Sequence, residues 1–144
     1  MLIGEYSHTL DPKKRIALPS RFREVLGKKL VITHGLDHCL FVYTEKAWSR
    51  LAEKLSQLPI GQADSRGFNR FMLAGAVEID VDSIGRILIP DFLKQFAGLK
   101  QKVIFAGVHD RVEIWDERTW QTYKRRIETQ ADKLAEKLGE VGAI

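Results

Sequence analysis

The sequence contains few of the residues that mark specialised protein classes. It has one cysteine, Cys39, and four prolines among its 144 residues. A single cysteine cannot form an internal disulfide or a cysteine metal cage, which suits a reducing compartment. No apolar run approaches the roughly 20 residues that span a bilayer, and the first residues lack the layout of a signal peptide. We therefore expect a cytoplasmic protein that makes no use of a membrane.

Composition is that of an ordinary folded chain. Apolar residues make up 44% of the sequence and charged residues 29%. These proportions exclude the disordered, collagen-like and disulfide-rich classes. A chain of this length buries about 68–70% of its unfolded surface, which is enough for one domain or two small fused modules.

The net charge of +4 is concentrated near the N-terminus. Residues 1–31 carry seven basic and three acidic side chains, whereas residues 32–144 carry 16 of each sign. Segregated positive charge is typical of proteins that bind polyanions, although a solvated basic face is the commoner cause of one such run. Charge alone therefore leaves nucleic-acid binding as a minority interpretation.

The chain repeats internally, at a shift of 71 residues that becomes 72 after one inserted residue. Two modules result, with a helical segment after each. We expect repeat 1 at residues 4–48, a helical linker at 49–74, repeat 2 at 75–120 and a C-terminal helix at 121–144. The identical pairs include Gly4/Gly75, Asp11/Asp82, Arg15/Arg86, Pro19/Pro90, Gly27/Gly98, Lys29/Lys100, Ile32/Ile104, Gly35/Gly107, Glu45/Glu117 and Trp48/Trp120.

The sequence pattern of each repeat predicts four short strands and one short helix. Val77, Ile79 and Val81 alternate with acidic residues, which is the period of a half-buried strand. A polar turn and an alternating Arg-Ile-x-Leu/Ile-Pro segment follow, giving a hairpin-like unit. Pro-Ser or Pro-Asp then starts a helix that a glycine ends. The remaining strands are predicted at 30–33 and 40–43, and at 103–106 and 112–115.

Both repeats are expected to end by entering a helix. Thr44 and Asp116 are the expected N-caps, with Trp48 and Trp120 on the first apolar turn. The C-terminal helix is amphipathic, and packing on its own chain or on a neighbouring subunit are both open interpretations. One repeat is too small to close a core alone, so the two copies are expected to form one pseudosymmetric barrel.

The motif Asp-x-x-x-Arg recurs in both copies, as Asp11 with Arg15 and as Asp82 with Arg86. In a structural interpretation, each aspartate bonds turn amides and pairs with its arginine. In a functional interpretation, the aspartate shapes the loop and the arginine projects toward a phosphate or a guanine edge. The first loop also carries Lys13-Lys14, whereas the second adds no cation. We expect the first loop to dominate electrostatic binding.

These motifs resemble the MraZ family over essentially the whole chain. The resemblance is carried by DPKKRIALPSRFR at 11–23, by VDSIGRILIP at 81–90 and by the tryptophans that end the modules. The MraZ family is similar to the wider AbrB and SpoVT group, in which dimerisation makes a swapped-hairpin barrel. The resemblance implies a mainly β fold with short helices, in which the two tandem repeats form one pseudosymmetric swapped-hairpin, AbrB-like double-split β-barrel, with linking and C-terminal helices.

The resemblance also implies a function. It indicates a bacterial DNA-binding transcriptional regulator that acts on repeated elements upstream of its own division and cell-wall operon, usually as a repressor. It implies binding to double-stranded DNA, ring-like homo-oligomers with an octamer as one size, and association with the nucleoid. We expect no cofactor or metal. Carried over by position, the DNA contacts are Lys13, Lys14, Arg15 and Arg86, with Arg21 and Arg23 as weaker candidates and Asp11 and Asp82 as loop-shaping residues.

An enzyme is the main alternative from another class. His34 and His38 have the spacing of metal ligands on a helix, but Gly35 and the turn after it argue against a helix there. His8 is expected to face inward, and Cys39 shows no sign of being a nucleophile. There is no nucleophile elbow, phosphate loop or dinucleotide fingerprint. The sequence therefore predicts a protein that is not an enzyme.

A second alternative is an antitoxin-like DNA-binding protein. MazE-type antitoxins share the hairpin and add a tail that binds a protein partner. The C-terminal helix is a candidate for such a tail, although its even charge and moderate hydrophobicity favour packing.

Overall fold

The computed structural model describes all 144 residues and contains eight β-strands. All strand pairings are antiparallel. The strands are β1 (Leu2–Thr9), β2 (Arg15–Ala17), β3 (Lys29–His34), β4 (Leu40–Thr44), β5 (Val77–Asp80), β6 (Arg86–Leu88), β7 (Lys102–His109) and β8 (Val112–Asp116). Six of them form one sheet in the order β1-β7-β8-β4-β3-β5, and β2 pairs with β6 in a separate two-stranded ribbon.

Five α-helices and one π-helical turn complete the chain. None of the helices is long and apolar enough to cross a membrane. The helices are α1 (Ser20–Leu26), α2 (Glu45–Ser56), α3 (Ala63–Asn69), α4 (Asp91–Phe96) and α5 (Glu117–Glu140), and the π-helical turn is Arg70–Ala74.

The two halves of the chain carry the same succession of elements. The order β1-β2-α1-β3-β4-α2 recurs as β5-β6-α4-β7-β8-α5, while α3 and the π-helical turn have no counterpart. The predicted mainly β fold of two tandem repeats is confirmed. The repeats differ in their first strand, because residues 73–76, which correspond to the first half of β1, lie in the π-helical turn and the connection after it.

The strands of the two repeats are exchanged. β1 pairs with β7, β5 pairs with β3, and β2 pairs with β6, so each of these ladders joins one repeat to the other. The exchange agrees with the predicted swapped-hairpin arrangement: β1 and β2 are joined by a loop but hydrogen-bond to strands of repeat 2 and not to each other. This exchange lets each repeat bury the apolar face that it cannot cover alone. Hydrogen bonding does not close a barrel, because β1 and β5 remain the edges of the six-stranded sheet.

One hydrophobic core receives side chains from both repeats. Ile16 and Ile87 are direct partners in the ribbon, and each is 1% exposed. Phe22 of α1 and Leu93 of α4 are completely buried in the same cluster. Neither repeat therefore has a core of its own.

A second, smaller cluster lies on the other side of the sheet. Phe41, Tyr43 and Trp115 point to this side, where Leu55 of α2 and Met72 of the π-helical turn cover them. Burial raises the pKa of Tyr43 to about 12. The predicted linker thus covers the back of the sheet.

The two long helices begin differently from one another. Thr44 caps α2, since its hydroxyl accepts a 3.0 Å hydrogen bond from the amide of Ala47. Asp116 is the N-cap residue of α5, as predicted, but its side chain accepts a 3.2 Å hydrogen bond from the amide of Lys100 and makes no capping bond to α5.

Helix α5 packs on its own chain only through its first turns. Trp120 donates a 2.6 Å hydrogen bond to Glu5, and Tyr123 packs against the second cluster. From Glu128 to the C-terminus every residue is exposed. The second half of α5 therefore extends from the body without a partner in this chain.

Candidate nucleic-acid interface

The two Asp-x-x-x-Arg loops have the same hydrogen-bonded geometry. One oxygen of Asp11 accepts from the backbone N–H groups two and four residues later, at 2.8 and 2.9 Å. Its other oxygen accepts from Nε of Arg15 at 2.9 Å. Asp82 makes the same contacts at 3.1 and 2.8 Å, and accepts from Nε of Arg86 at 2.8 Å. Each aspartate therefore fixes both the turn and the guanidinium that leaves it.

These contacts lower the pKa of Asp11 and Asp82. The hydrogen bond from the backbone of the arginine four residues later contributes most in both loops, and it outweighs the opposing effect of desolvation. A lowered pKa means that the loop contacts are complete above the unfolded value of about 3.9 and are lost as the pH falls through the folded value. The loops therefore keep their geometry throughout the neutral range.

Carboxyl titration by NMR tests this ionisation. We expect both aspartates to titrate below about 3.9 and the amide signals of the two loops to stay unchanged between pH 5 and 8. A titration midpoint for either residue at or above the unfolded value would contradict the loop geometry.

The residue before each arginine has a left-handed backbone. Lys14 has φ 65° and Gly85 has φ 86°. Glycine adopts this conformation without a steric penalty, whereas lysine does so at a cost. The first loop therefore has a lysine at a position where the second loop has glycine, the residue that adopts this backbone conformation without a steric penalty.

Substitution of Lys14 by glycine separates charge from loop shape. Lys14→Gly removes one cation but gives the first loop the residue that the second loop already has. We expect the free energy of unfolding to change by less than about 1 kcal/mol and the slope of log affinity for DNA against log salt to fall by about one. Chemical denaturation and a salt titration of binding measure the two quantities. An unchanged slope would show that Lys14 does not meet a phosphate.

The outer face of the ribbon brings both arginines together. Arg15 lies opposite Leu88, and Ala17 lies opposite Arg86. These four side chains share one face, because the isoleucines between them face the core. Nε of each arginine bonds its aspartate, while the terminal nitrogens of Arg15 and Arg86 have no acceptor within the chain. Two oriented and partly exposed guanidinium groups are thus available on one face of the ribbon.

The antiparallel ribbon places each loop beside the short helix of the other repeat. Lys14 forms an ion pair with Asp91 at the start of α4. At the other end, Arg23 of α1 lies over the second loop, where a Cβ on Gly85 would come within 2.2 Å of its guanidinium carbon. Arg23 also donates a 3.2 Å hydrogen bond to the carbonyl of Leu18. Arg23 therefore packs against the second loop and holds it in place.

Sequence reasoning missed three cations that the fold brings to the loops. Lys94 and Lys100 line a cavity of about 350 Å³ beside the first loop, and Lys28 lines one of about 530 Å³ beside the second. The alignment of the two repeats could have indicated one of these cations, since Lys94 is the counterpart of the predicted contact Arg23. Each loop is thus flanked by basic side chains from the other repeat.

The remaining predicted contacts are open to solvent. Lys13 at the tip of the first loop and Arg21 on α1 are both exposed, and neither forms an ion pair within the chain. The six predicted basic residues therefore gather around the ribbon and the short helix that follows β2.

The residues considered for catalysis have other partners. His34 stacks on Phe71 at 4.6 Å between ring centres, and its Nδ1 lies 3.0 Å from the carbonyl of the same residue. Cys39 is fully buried, and burial raises the pKa of its thiol. His8 is half-buried, and desolvation followed by the charge of Arg23 lowers its pKa. No three His, Cys, Asp or Glu side chains come together as metal ligands.

Comparison with known proteins gives the same family over both repeats. The family described as "MraZ protein, putative antitoxin-like" matches residues 1–71 and again 72–140. A protein of Caldanaerobacter subterraneus subsp. tengcongensis named "Transcriptional regulator MraZ" is 49% identical over 138 residues, 96% of each chain. Proteins of the same name from Caldicellulosiruptor saccharolyticus and a Thermoanaerobacter species are 49% and 47% identical, over 99% and 98% of this chain and 99% of each relative. The chain belongs to the MraZ family.

Proposed function

We propose that this chain is a sequence-specific DNA-binding regulator of transcription that contacts duplex DNA through the outer face of the β2–β6 ribbon. The name that the relatives share supports the role in transcription. The main support for the DNA contact is the arrangement of Arg15 and Arg86 on one face of the ribbon. An aspartate holds each arginine through Nε, and the terminal nitrogens of both remain free.

The geometry of the ribbon suits the major groove. This groove is about 12 Å wide and admits a two-stranded ribbon. The terminal nitrogens of a guanidinium match the two acceptors of guanine, which is the commonest specific contact to DNA. Because Asp11 and Asp82 already orient the side chains of Arg15 and Arg86, little side-chain freedom remains to be lost on binding. We assign the two aspartates to loop shaping.

The cations around the ribbon are placed to meet phosphates. Lys13 and Lys14 lie in the first loop, and Lys94 and Lys100 lie beside it. The ion pair of Lys14 with Asp91 is partly exposed and therefore weak, so it competes little with a phosphate. These contacts set register and affinity, whereas base contacts set specificity.

The predicted contacts do not contribute equally in this proposal. Lys13, Lys14 and Arg15 dominate, and Arg86 is the weaker symmetric partner because its loop adds no cation. Arg21 is an exposed phosphate contact. Arg23 acts mainly by positioning the second loop, since it already bonds a carbonyl and packs over Gly85.

The target and the assembly follow from the family resemblance. We propose repression of the chain's own division and cell-wall operon through repeated upstream elements, by a ring-like homo-oligomer on the nucleoid. Joining several ribbons on one DNA raises the effective concentration of each after the first has bound. The unpartnered half of α5 is the part of the chain best placed to contact another subunit.

A second candidate is an antitoxin-like DNA-binding protein with a protein partner. The same exposed half of α5 favours it, because an amphipathic helix without a partner suits docking into a groove. Removal of residues 128–144 distinguishes the two roles. Loss of self-association supports the ring, whereas unchanged self-association with loss of a co-purifying protein supports the antitoxin-like role.

Binding to DNA from upstream of the chain's own gene tests the proposed function. The purified protein is titrated with this duplex and with a scrambled duplex while the salt concentration is varied. We expect tighter binding to the upstream duplex and a linear fall of log affinity with log salt. Equal affinity for both duplexes would contradict sequence-specific binding, and salt-independent affinity would contradict the electrostatic contacts.

A further inference from the structure

An exposed leucine lies between the two arginines on the outer face of the ribbon. Leu88 is 54% exposed and is the direct cross-strand partner of Arg15. Its side chain belongs to neither buried cluster. The equivalent position in repeat 1 is Ala17, which lies opposite Arg86. The repeats therefore present different side chains at the same place on the face.

Single exposed leucines are common on protein surfaces, so the position of Leu88 is what matters. It is next to both oriented guanidinium groups, since it lies opposite Arg15 on β2 and two residues from Arg86 on β6. Ile84, at the tip of the second loop, is 61% exposed. The counterpart of Ile84 in repeat 1 is Lys13. At these two positions repeat 2 therefore presents large apolar side chains, Ile84 and Leu88, whereas repeat 1 presents a lysine and an alanine.

We infer that Leu88 is a specificity-determining residue that contacts the methyl group of a thymine in the major groove. The inference rests on the proposed function, because only then does this face meet base edges. The thymine methyl is the apolar group that base pairs present in that groove, and a leucine side chain has no hydrogen-bonding group to use there. Ala17 ends at Cβ, so the equivalent position of repeat 1 reaches less far.

Uracil-substituted DNA tests this contact, because uracil lacks only the methyl group of thymine. The duplex from upstream of the gene is prepared with thymine or with uracil throughout, so the position of the contact need not be known. We expect the wild-type protein to bind the uracil duplex about fourfold more weakly for each methyl contacted. Leu88→Ala should bind both duplexes equally, with an affinity close to that of wild type for uracil DNA.

Leu58→Ala is the matched control, since Leu58 is 39% exposed just after α2, on the side of the sheet opposite the ribbon. It should keep the wild-type preference for thymine. Both leucines are at the surface, so neither variant is expected to lose its fold, and circular dichroism checks this.

Two outcomes would overturn the inference while leaving the proposed function intact. In the first, the wild-type protein binds thymine DNA and uracil DNA equally. In the second, Leu88→Ala keeps the full preference for thymine DNA, which would assign that preference to DNA shape or to another residue. If wild type does not distinguish the upstream duplex from a scrambled one, the proposed function itself fails and this inference fails with it.

Discussion

Substitution of Arg15 by alanine is expected to weaken binding to the upstream duplex by about tenfold to a hundredfold, the range for a bidentate arginine contact to a base. The side chain is held by Asp11 and has free terminal nitrogens on the ribbon face. Arg86→Ala should cost less, because the second loop has no neighbouring cations at positions 83–85. Fluorescence anisotropy at one fixed salt concentration measures both affinities.

Two controls separate the geometry of Arg15 from its charge. Arg125→Ala removes an equal charge from an exposed position of α5 and should leave the affinity nearly unchanged. Arg15→Lys keeps the charge but loses the planar fork, and we expect it to recover little of the specificity. An Arg15→Ala protein that folds and binds as tightly as wild type would refute the assignment of the first loop.

Substitution of Phe22 by alanine is expected to destabilise both repeats together, by about 3–5 kcal/mol. Phe22 belongs to repeat 1 but is completely buried in the core that both repeats share, with its ring 5.1 Å from that of Tyr6. Because β1, β2 and β5 all pair with strands of the other repeat, neither half can keep its sheet when the other unfolds. Urea unfolding should therefore remain a single transition.

The chain offers a matched control and a local reporter in each half. Phe68→Ala removes the same side chain from a position that is 38% exposed and should cost far less. Trp48 lies in the first half, whereas Trp115 and Trp120 lie in the second, so tryptophan fluorescence and circular dichroism report on both. Two separate transitions, of which Phe22→Ala shifts only one, would show that the repeats fold independently.

The parts of the interface that could be predicted from the sequence depend on short-range contacts. Asp11 and Arg15 are four residues apart, and the second copy repeats that spacing, so their pairing needed no knowledge of the fold. The strand positions and the short helices were also readable, because apolar periodicity and turn residues occur twice. The division into repeats at 4–48 and 75–120 stays a prediction.

The rest of the interface depends on contacts between distant residues. Nothing local indicates that β2 pairs with β6 instead of with β1, yet this pairing brings Lys94 to the first loop and Arg23 to the second. The difference between Ala17 and Leu88 becomes meaningful only when both are known to face outward. For the same reason, the sequence could not say how much of α5 its own chain covers.

Site-specific photocrosslinking shows whether the outer face of the β2–β6 ribbon is the surface that contacts DNA. Ala17→Cys places a thiol between the two arginines, while the buried Cys39, with its raised pKa, stays unreactive toward the label. With a photoactivatable group on this thiol, we expect efficient crosslinks to the upstream duplex and few to a scrambled one. Leu138→Cys, on the exposed half of α5, should give few with either. Crosslinks from position 138 and none from position 17 would contradict the ribbon as the surface that contacts DNA.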